Sequence, residues 1–444
     1  MDRQKRKDLI EIFNILEEAI DHVDNLMSSN TDAIFSLLSQ CQESAVVIGN
    51  TIEEFCGQGT DSVTALERFC EDVYNFSEKL SKNTPISDAG MLKKSLEDAR
   101  HIFSSEFPMI KEIVFLPCSP DYWDGFDYIY RKLSKDNNNN LRVIPIPWYD
   151  RLPNGNLDGS NPHFDIDGYP KDITLIAFDK YDFEGIHPDI VYIQNAFDNQ
   201  NLGASISPLF YTDYLHGVTD ELIYVPHFVL TEPEIKSNDQ IEKLREYLTV
   251  PGINYIDKII LQSENMKLAM IKMLAGDDRE QYKASLEKKI TCEDFPRVME
   301  VKECQSAEIP AAWEKYILKQ DGSRKKVILY SNSVSALLSE NTKLITKIKS
   351  TFQIFKDNNN DVALIWRPHP LLSEVIAQLR PEFADSYSSL IEAYKSDAIG
   401  ILDESDSPLT AISVCDAFYG DKGSVLELFK ATGKPIMVEN VDVL

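Results

Sequence analysis

Cations are scarce relative to acids in this 444-residue chain: 45 Lys and Arg face 72 Asp and Glu, a formal net charge of −27. A surface that acidic repels a phosphate backbone and an anionic leaflet, so nucleic acid is excluded as a partner and membrane association is at most peripheral. The seven cysteines, at 41, 56, 70, 118, 292, 304 and 415, form no CxxC pair, which excludes a disulfide framework and a zinc knuckle. No run of about 18 uninterrupted apolar residues occurs. Nor can the segment after the basic start Met1–Lys7, DLIEIFNILEEAIDHV, serve as a signal-peptide core, because acids interrupt it. The chain therefore reads as soluble and cytoplasmic, in a reducing compartment or at the inner face of a membrane. The patterns GxxxxGK(S/T), GxGxxG, HExxH and GxSxG are all missing, so the chemistries they carry are unsupported. No metal and no resident cofactor is expected.

Apolar material is ample, with 43% hydrophobic and 10% aromatic residues, enough to build real cores. Leu9, Phe13, Leu16, Ile20, Val23 and Met27 recur at the period of one helical face. Ser28 to Asp32 supply capping residues, and Ile34, Leu37, Leu38, Cys41, Val46 and Phe55 continue the pattern. After the Gly57-Gln58-Gly59 break a third amphipathic helix runs from Leu66 through Leu80, and a fourth through Leu92, Leu96 and Ile102. Residues 1–105 contain one proline, Pro85, with 10 basic and 19 acidic residues. They predict a small acidic helical bundle, a candidate module for binding a protein partner.

From Glu112 the period changes. Short runs at 113–117, 142–147, 189–194, 222–226 and 257–262, then at 327–331, 361–366, 398–402 and 434–438, alternate with helical stretches, the rhythm of parallel α/β units. A helix followed by KDNNNN (135–140) and a strand ending in prolines has a counterpart in a helix, KDNNND (356–361) and VALIWRPHP. The chain is therefore expected to be α/β, with two Rossmann-like domains in tandem, at 110–305 and 315–444, preceded by a helical bundle at 1–105. Ligands of such sheets bind outside the carboxyl ends of the strands.

Two segments carry most of the chemistry. Arg367-Pro368-His369-Pro370 follows a predicted strand, and an arginine two residues from a histidine can offer charge and a hydrogen-bond donor to a phosphate. In the second, a strand ends at Tyr419 and is followed by Gly-Asp421-Lys422-Gly423-Ser424, with a helix starting at Val425. Amides at such a helix start, with a serine hydroxyl beside them, can hold an anion without net basic charge. Glu427 in the first turn could reach a hydroxyl. In the first α/β domain, Trp123, Asp124, Tyr149 and Asp150 follow predicted strands and suit a polyol or sugar acceptor.

At these residues the chain resembles the CDP-glycerol glycerophosphotransferase family of Gram-positive teichoic-acid enzymes, which have a GT-B-type fold. His369-Pro370 falls on the family's Arg-x-His-Pro segment. Asp416, Asp421, Ser424, Glu427 and Gly433-Lys434-Pro435 fall on its Asp- and Ser-containing element and Gly-Lys-Pro strand. Lys422-Gly423 stands where the family has Tyr-Ser. The resemblance implies that Ser424 and the adjoining amides hold the diphosphate of the donor, with His369 beside the transferred phosphoryl group. His216-Gly217 is the one counterpart to the family's amino-terminal His-Gly.

The expected activity is transfer of glycerol phosphate from CDP-glycerol to a hydroxyl of a teichoic-acid-like or capsular polymer, a polyol phosphate or glycan, with release of CMP. Arg367 and His369 would be catalytic, with His369 acting as base or acid. Asp421, Lys422, Gly423, Ser424, Val425, Glu427 and Lys434 would hold the donor. Two alternatives stand beside this one: a GT-B glycosyltransferase or epimerase using a UDP- or GDP-sugar, and a degenerate non-catalytic member that works as an interaction protein.

Overall fold

The computed structural model describes residues 3–27, 31–82, 84, 86, 88–201, 203–276, 279–304, 308–340, 342–396 and 399–440. Two compact units result: residues 1–111 with 137–140, and residues 112–136 with 141–444.

The first unit carries four helices, α1 (Arg3–Leu26), α2 (Thr31–Cys56), α3 (Asp61–Ser81) and α4 (Gly90–Glu106). Leu9, Phe13, Leu16, Ile20 and Val23 of α1 are all buried, as their spacing predicts. On α2 the buried stripe is Ile34, Leu38, Cys41, Ala45, Ile48 and Ile52. Val46 and Phe55, expected inside, are instead exposed, because small Ala45 and Gly49 occupy the inward positions of that helix and shift its apolar face by one residue. The caps expected at Ser28, Ser29 and Asn30, and Pro85, lie outside the described residues.

The second unit holds two parallel sheets. The first has strand order β2-β1-β4-β6-β7-β8, from β1 (Lys111–Leu116), β2 (Asn139–Val143), β4 (Ile190–Ile193), β6 (Glu221–Tyr224), β7 (Lys258–Ile260) and β8 (Ile290–Thr291). Between these, β3 (Trp148–Asp150) and β5 (Ala204–Ile206) form a small antiparallel pair that the sequence reading did not anticipate. The second sheet has order β11-β10-β9-β12-β13, from β9 (Lys326–Asn332), β10 (Val362–Pro368), β11 (Ile401–Leu402), β12 (Ala417–Gly420) and β13 (Ile436–Val438). Continuous apolar strands such as Val362–Trp366 are buried on both faces, as parallel strands covered by helices must be. The expected class, tandem Rossmann-like halves after a helical region, is the architecture observed. The Asn-rich turns also do as expected: each ends a helix and leads into a strand, β2 or β10, lying beside the first strand of its sheet.

In the second sheet the chain starts at β9, runs outward to β10 and β11, then returns to β12 and β13 on the other side. This reversal leaves a crevice at the carboxyl ends of β9 and β12. A helix of the first half, Pro296–Glu303, packs against Leu409–Val414 and Ser424–Lys430 of the second. Phe295 and Val301 thereby join Val327, Leu329 and Phe429 in one apolar cluster. Among the described residues no helix is long and apolar enough to cross a membrane.

Candidate active site

A cavity of about 190 Å³ opens at that switch point, many times the space a single water needs. Its lining comes from the ends of three strands: Ser331, Asn332 and Ser333 at the end of β9; Arg367 to Pro370 at β10; and Asp421, Gly423, Ser424, Val425 and Leu426 after β12. Asp406 and Arg297 complete the polar wall. Tight strand packing brings the segments together. Gly420 has φ +152°, and a Cβ there would lie 2.2 Å from the Ser331 carbonyl oxygen, so only glycine lets β12 run this close to β9 before turning.

Ser424 opens the helix Ser424–Lys430, whose first intrahelical bond is Glu427 N–H to the Gly423 carbonyl. The amides of 424–426 precede that bond and have no intrahelical acceptor. Gly423 is extended at φ −176°, and Ser424 and Val425 line the cavity. Ser333 faces the same space. Ser333 precedes the helix Val334–Glu340, and its N–H donates to both carboxyl oxygens of Asp421, at 3.0 and 2.8 Å. Burial pushes the Asp421 carboxyl up to about 7, against the two lowering contacts from Ser333.

His369 is half-buried. Its backbone N–H donates to the Asn332 carbonyl at 2.9 Å, and Asn332 in turn accepts from the buried Trp366 indole at 3.0 Å. The imidazole Nδ1 accepts the Leu371 amide at 3.2 Å, which assigns the neutral-ring proton to Nε2. Burial, and secondarily the charge of Arg367, push its pKa below the ordinary 6.5. The ring is thus a neutral donor.

Arg367 behaves differently from the sequence expectation of a charge offered to phosphate. Only 4% exposed, it donates to Asp403 Oδ2 at 2.6 Å, to Ser405 Oγ at 3.1 Å, and to the Ser405 and Asp406 carbonyls at 2.7 and 3.3 Å. The guanidinium, part of the cavity wall, braces the 403–406 loop.

Other predicted residues are dispersed. Lys434 sits at the start of β13, the opposite end of the sheet from the cavity, and its ammonium donates to the carbonyls of Ile412, Ser413 and Cys415. Asp416 lies at that same far end, paired with Arg324 at 3.1 Å. Glu427 is buried; it accepts the Glu232 amide at 3.2 Å and pairs with Lys430 at 2.5 Å, tying the two halves together away from the lining. Lys422 is exposed and outside the lining. On the first half, Trp123 is a core residue whose indole donates to Asp127 at 3.1 Å. Tyr149 and Asp150 belong to the β3–β5 pair, where Asp150 bonds His163 at 2.7 Å. His216 lies 3.8 Å from Asp257, at the end of the first sheet where β7 begins. Asp124 alone of this group reaches the cavity's surroundings, through Arg297 at 2.6 Å.

Sequence reasoning missed Arg297, Ser333 and Asp403, none of which lies in a recognisable pattern. Nor does any sequence pattern single out His227, which sits just past β6, stacks on Tyr122 at 4.2 Å, and is driven by burial to a pKa of about 4. Among the described residues no group of His, Cys, Asp and Glu could hold a metal ion.

No family model matches the chain, and no curated protein matches it. Solved structures do. The UDP-bound MnaA of S. aureus has a TM-score of 0.44 at 11% identity, covering 74% of this chain and 78% of its own. The UDP-GlcNAc 2-epimerase of Methanocaldococcus jannaschii has 0.41 at 14%, covering 74% and 83%. The wall teichoic acid polymerase TagF has 0.42 at 13%, covering 87% and 80%. Similarities at this level carry no argument about activity, and the functional reading rests on the residues of the cavity.

Proposed function

We propose that the chain is a transferase acting on a nucleotide-activated, diphosphate-linked donor whose phosphates occupy the switch-point cavity. One observation carries the reading: the helix start at Ser424, the hydroxyl of Ser424 and the neutral donor His369 converge on a single space at the carboxyl ends of β9, β10 and β12. Fixed amide and hydroxyl donors of this kind stabilise phosphoryl oxygens by position rather than by net charge. That suits a protein as acidic as this one.

The specific donor we favour is CDP-glycerol, on the match of His369-Pro370 and Ser424 to the family pattern. In that reaction the acceptor hydroxyl attacks the β-phosphorus. The new bond is between that oxygen and phosphorus, the bond from phosphorus to the bridging oxygen breaks, and CMP leaves with the electron pair while the hydroxyl proton passes to solvent water. His369, with its proton on Nε2, is suited to donate to a phosphoryl or departing oxygen. Arg367 supports the loop that shapes the site.

The test is CMP release from CDP-glycerol together with a thermal-shift panel of CDP-glycerol, CDP-ribitol, UDP-GlcNAc and GDP-mannose. CDP-glycerol should stabilise most. Preferential stabilisation by a UDP- or GDP-sugar overturns the donor assignment, and no shift with any of them counts against the nucleotide-donor reading itself. His369→Ala should abolish CMP release with an unchanged circular dichroism spectrum, and turnover at the wild-type rate would refute its role.

A further inference from the structure

We propose that Arg297 is the cation that completes the anion cavity, a guanidinium from the first half that grips the phosphates held by the second. The inference builds on the reading of the cavity as a diphosphate site. Arg297 lies in the first turn of the helix Pro296–Glu303, where Pro296 fixes the starting backbone angle. That helix packs against Ser424–Lys430, which aims the arginine at the same space as Ser333, His369 and Ser424.

Its hydrogen bonding is incomplete. Nη2 donates to Asp124 at 2.6 Å, while Nε is buried and has no partner among the described residues. A guanidinium has five N–H donors, and leaving them unpaired in a partly buried place costs free energy. Arg297 also lines the cavity, so the guanidinium donors that Asp124 leaves unused stand beside any acceptor that enters it. Arg367, in the same lining, shows the contrast: its donors are taken up by Asp403, Ser405 and Asp406.

The surroundings favour an arginine that is fixed and still able to bind. Asp124 anchors one end of the fork. Glu300 and Asp127 lie behind it, and Arg131 balances them, 2.6 Å from Asp127 and 3.7 Å from Glu300. The planar fork is thus oriented before ligand arrives, with geometry that matches two phosphate oxygens. A diphosphate would then touch the helix amides and Ser424 on one side and Arg297 on the other, so a single ligand would be bound by both halves.

Calorimetric titration of inorganic pyrophosphate and of CDP into the full chain tests this. Arg297→Lys keeps the charge and loses the fork, and should weaken pyrophosphate by about tenfold or more without changing the melting temperature. Arg297→Met alone would leave Asp124 unpaired, so the double variant Arg297→Met/Asp124→Asn removes both partners and should reduce binding at least as far. If the wild type binds neither pyrophosphate nor CDP, the cavity reading fails and this inference fails with it. If the wild type binds and the folded variants bind within twofold of it, the Arg297 assignment is wrong while the cavity reading stands.

Discussion

Removing the charge of Arg367 should damage stability before it damages chemistry. The side chains of the Arg367–Asp403 pair are 5% and 2% exposed, and their atoms are 2.6 Å apart. Arg367→Met would leave the Asp403 carboxylate buried with Ser405 as its remaining donor. Breaking a buried pair by deleting one partner costs about 3–5 kcal/mol. With an m-value of ~3 kcal/mol/M, that is a fall of about 1–1.7 M in the urea midpoint. Adding Asp403→Asn removes the stranded charge and should recover a large part of the loss, so the coupling energy from the double-mutant cycle should be well above the ~0.5 kcal/mol of independent sites. The assay is urea unfolding followed by circular dichroism, with pyrophosphate titration of each folded variant. An Arg367→Met protein that keeps the wild-type midpoint but loses pyrophosphate binding would refute the bracing role and restore Arg367 as a ligand contact.

Three further outcomes follow from the same geometry. Because burial raises the Asp421 carboxyl to about 7, the folded state favours its neutral form, and the stability tied to that form is lost as pH rises through about 7. The carboxylate that then appears repels an anion in the cavity, so pyrophosphate binding should weaken by about fivefold across that range, the ~1 kcal/mol of two unit charges a few ångströms apart in water. Asp421→Asn should flatten the profile; an unchanged profile would remove Asp421 from the site. Gly420→Ala, forced against the Ser331 carbonyl at 2.2 Å, should cost ~3 kcal/mol in chemical unfolding, and a neutral result would mean that β12 can move away from β9. Lys434→Met strips three carbonyls of their shared donor and should lower stability by about 1–3 kcal/mol. Pyrophosphate affinity should be retained, and its loss would bring Lys434 back to the donor site.

What the sequence disclosed was what is written locally. The strand runs around Val327, Val362 and Ile190 are continuous β-branched and aliphatic segments, so the alternation of the two sheets was readable. His369 and Ser424 stood out because prolines and glycines mark the ends of β10 and β12 nearby. The remaining features depend on contacts between distant positions. Arg367 reads as an available cation until Asp403, brought alongside by the pairing of β10 with β11, takes its charge. Lys434 follows Ser424 by ten residues but lies across the sheet, because the helix between them carries the chain back to the strand starts. Trp123 has the composition of a binding residue and the burial of a core one. Arg297 had no motif around it. It reaches the cavity only because its helix docks on the other half.

The central claim is that the cavity between Ser424, His369 and Ser333 receives the phosphates of a nucleotide donor. The most direct measurement is a crystal structure of the full chain with CDP. The account predicts diphosphate density against the amides of 424–426 and the Ser424 hydroxyl, with the Arg297 guanidinium on its other side. Clear CDP density elsewhere, with this cavity filled only by water, would contradict it.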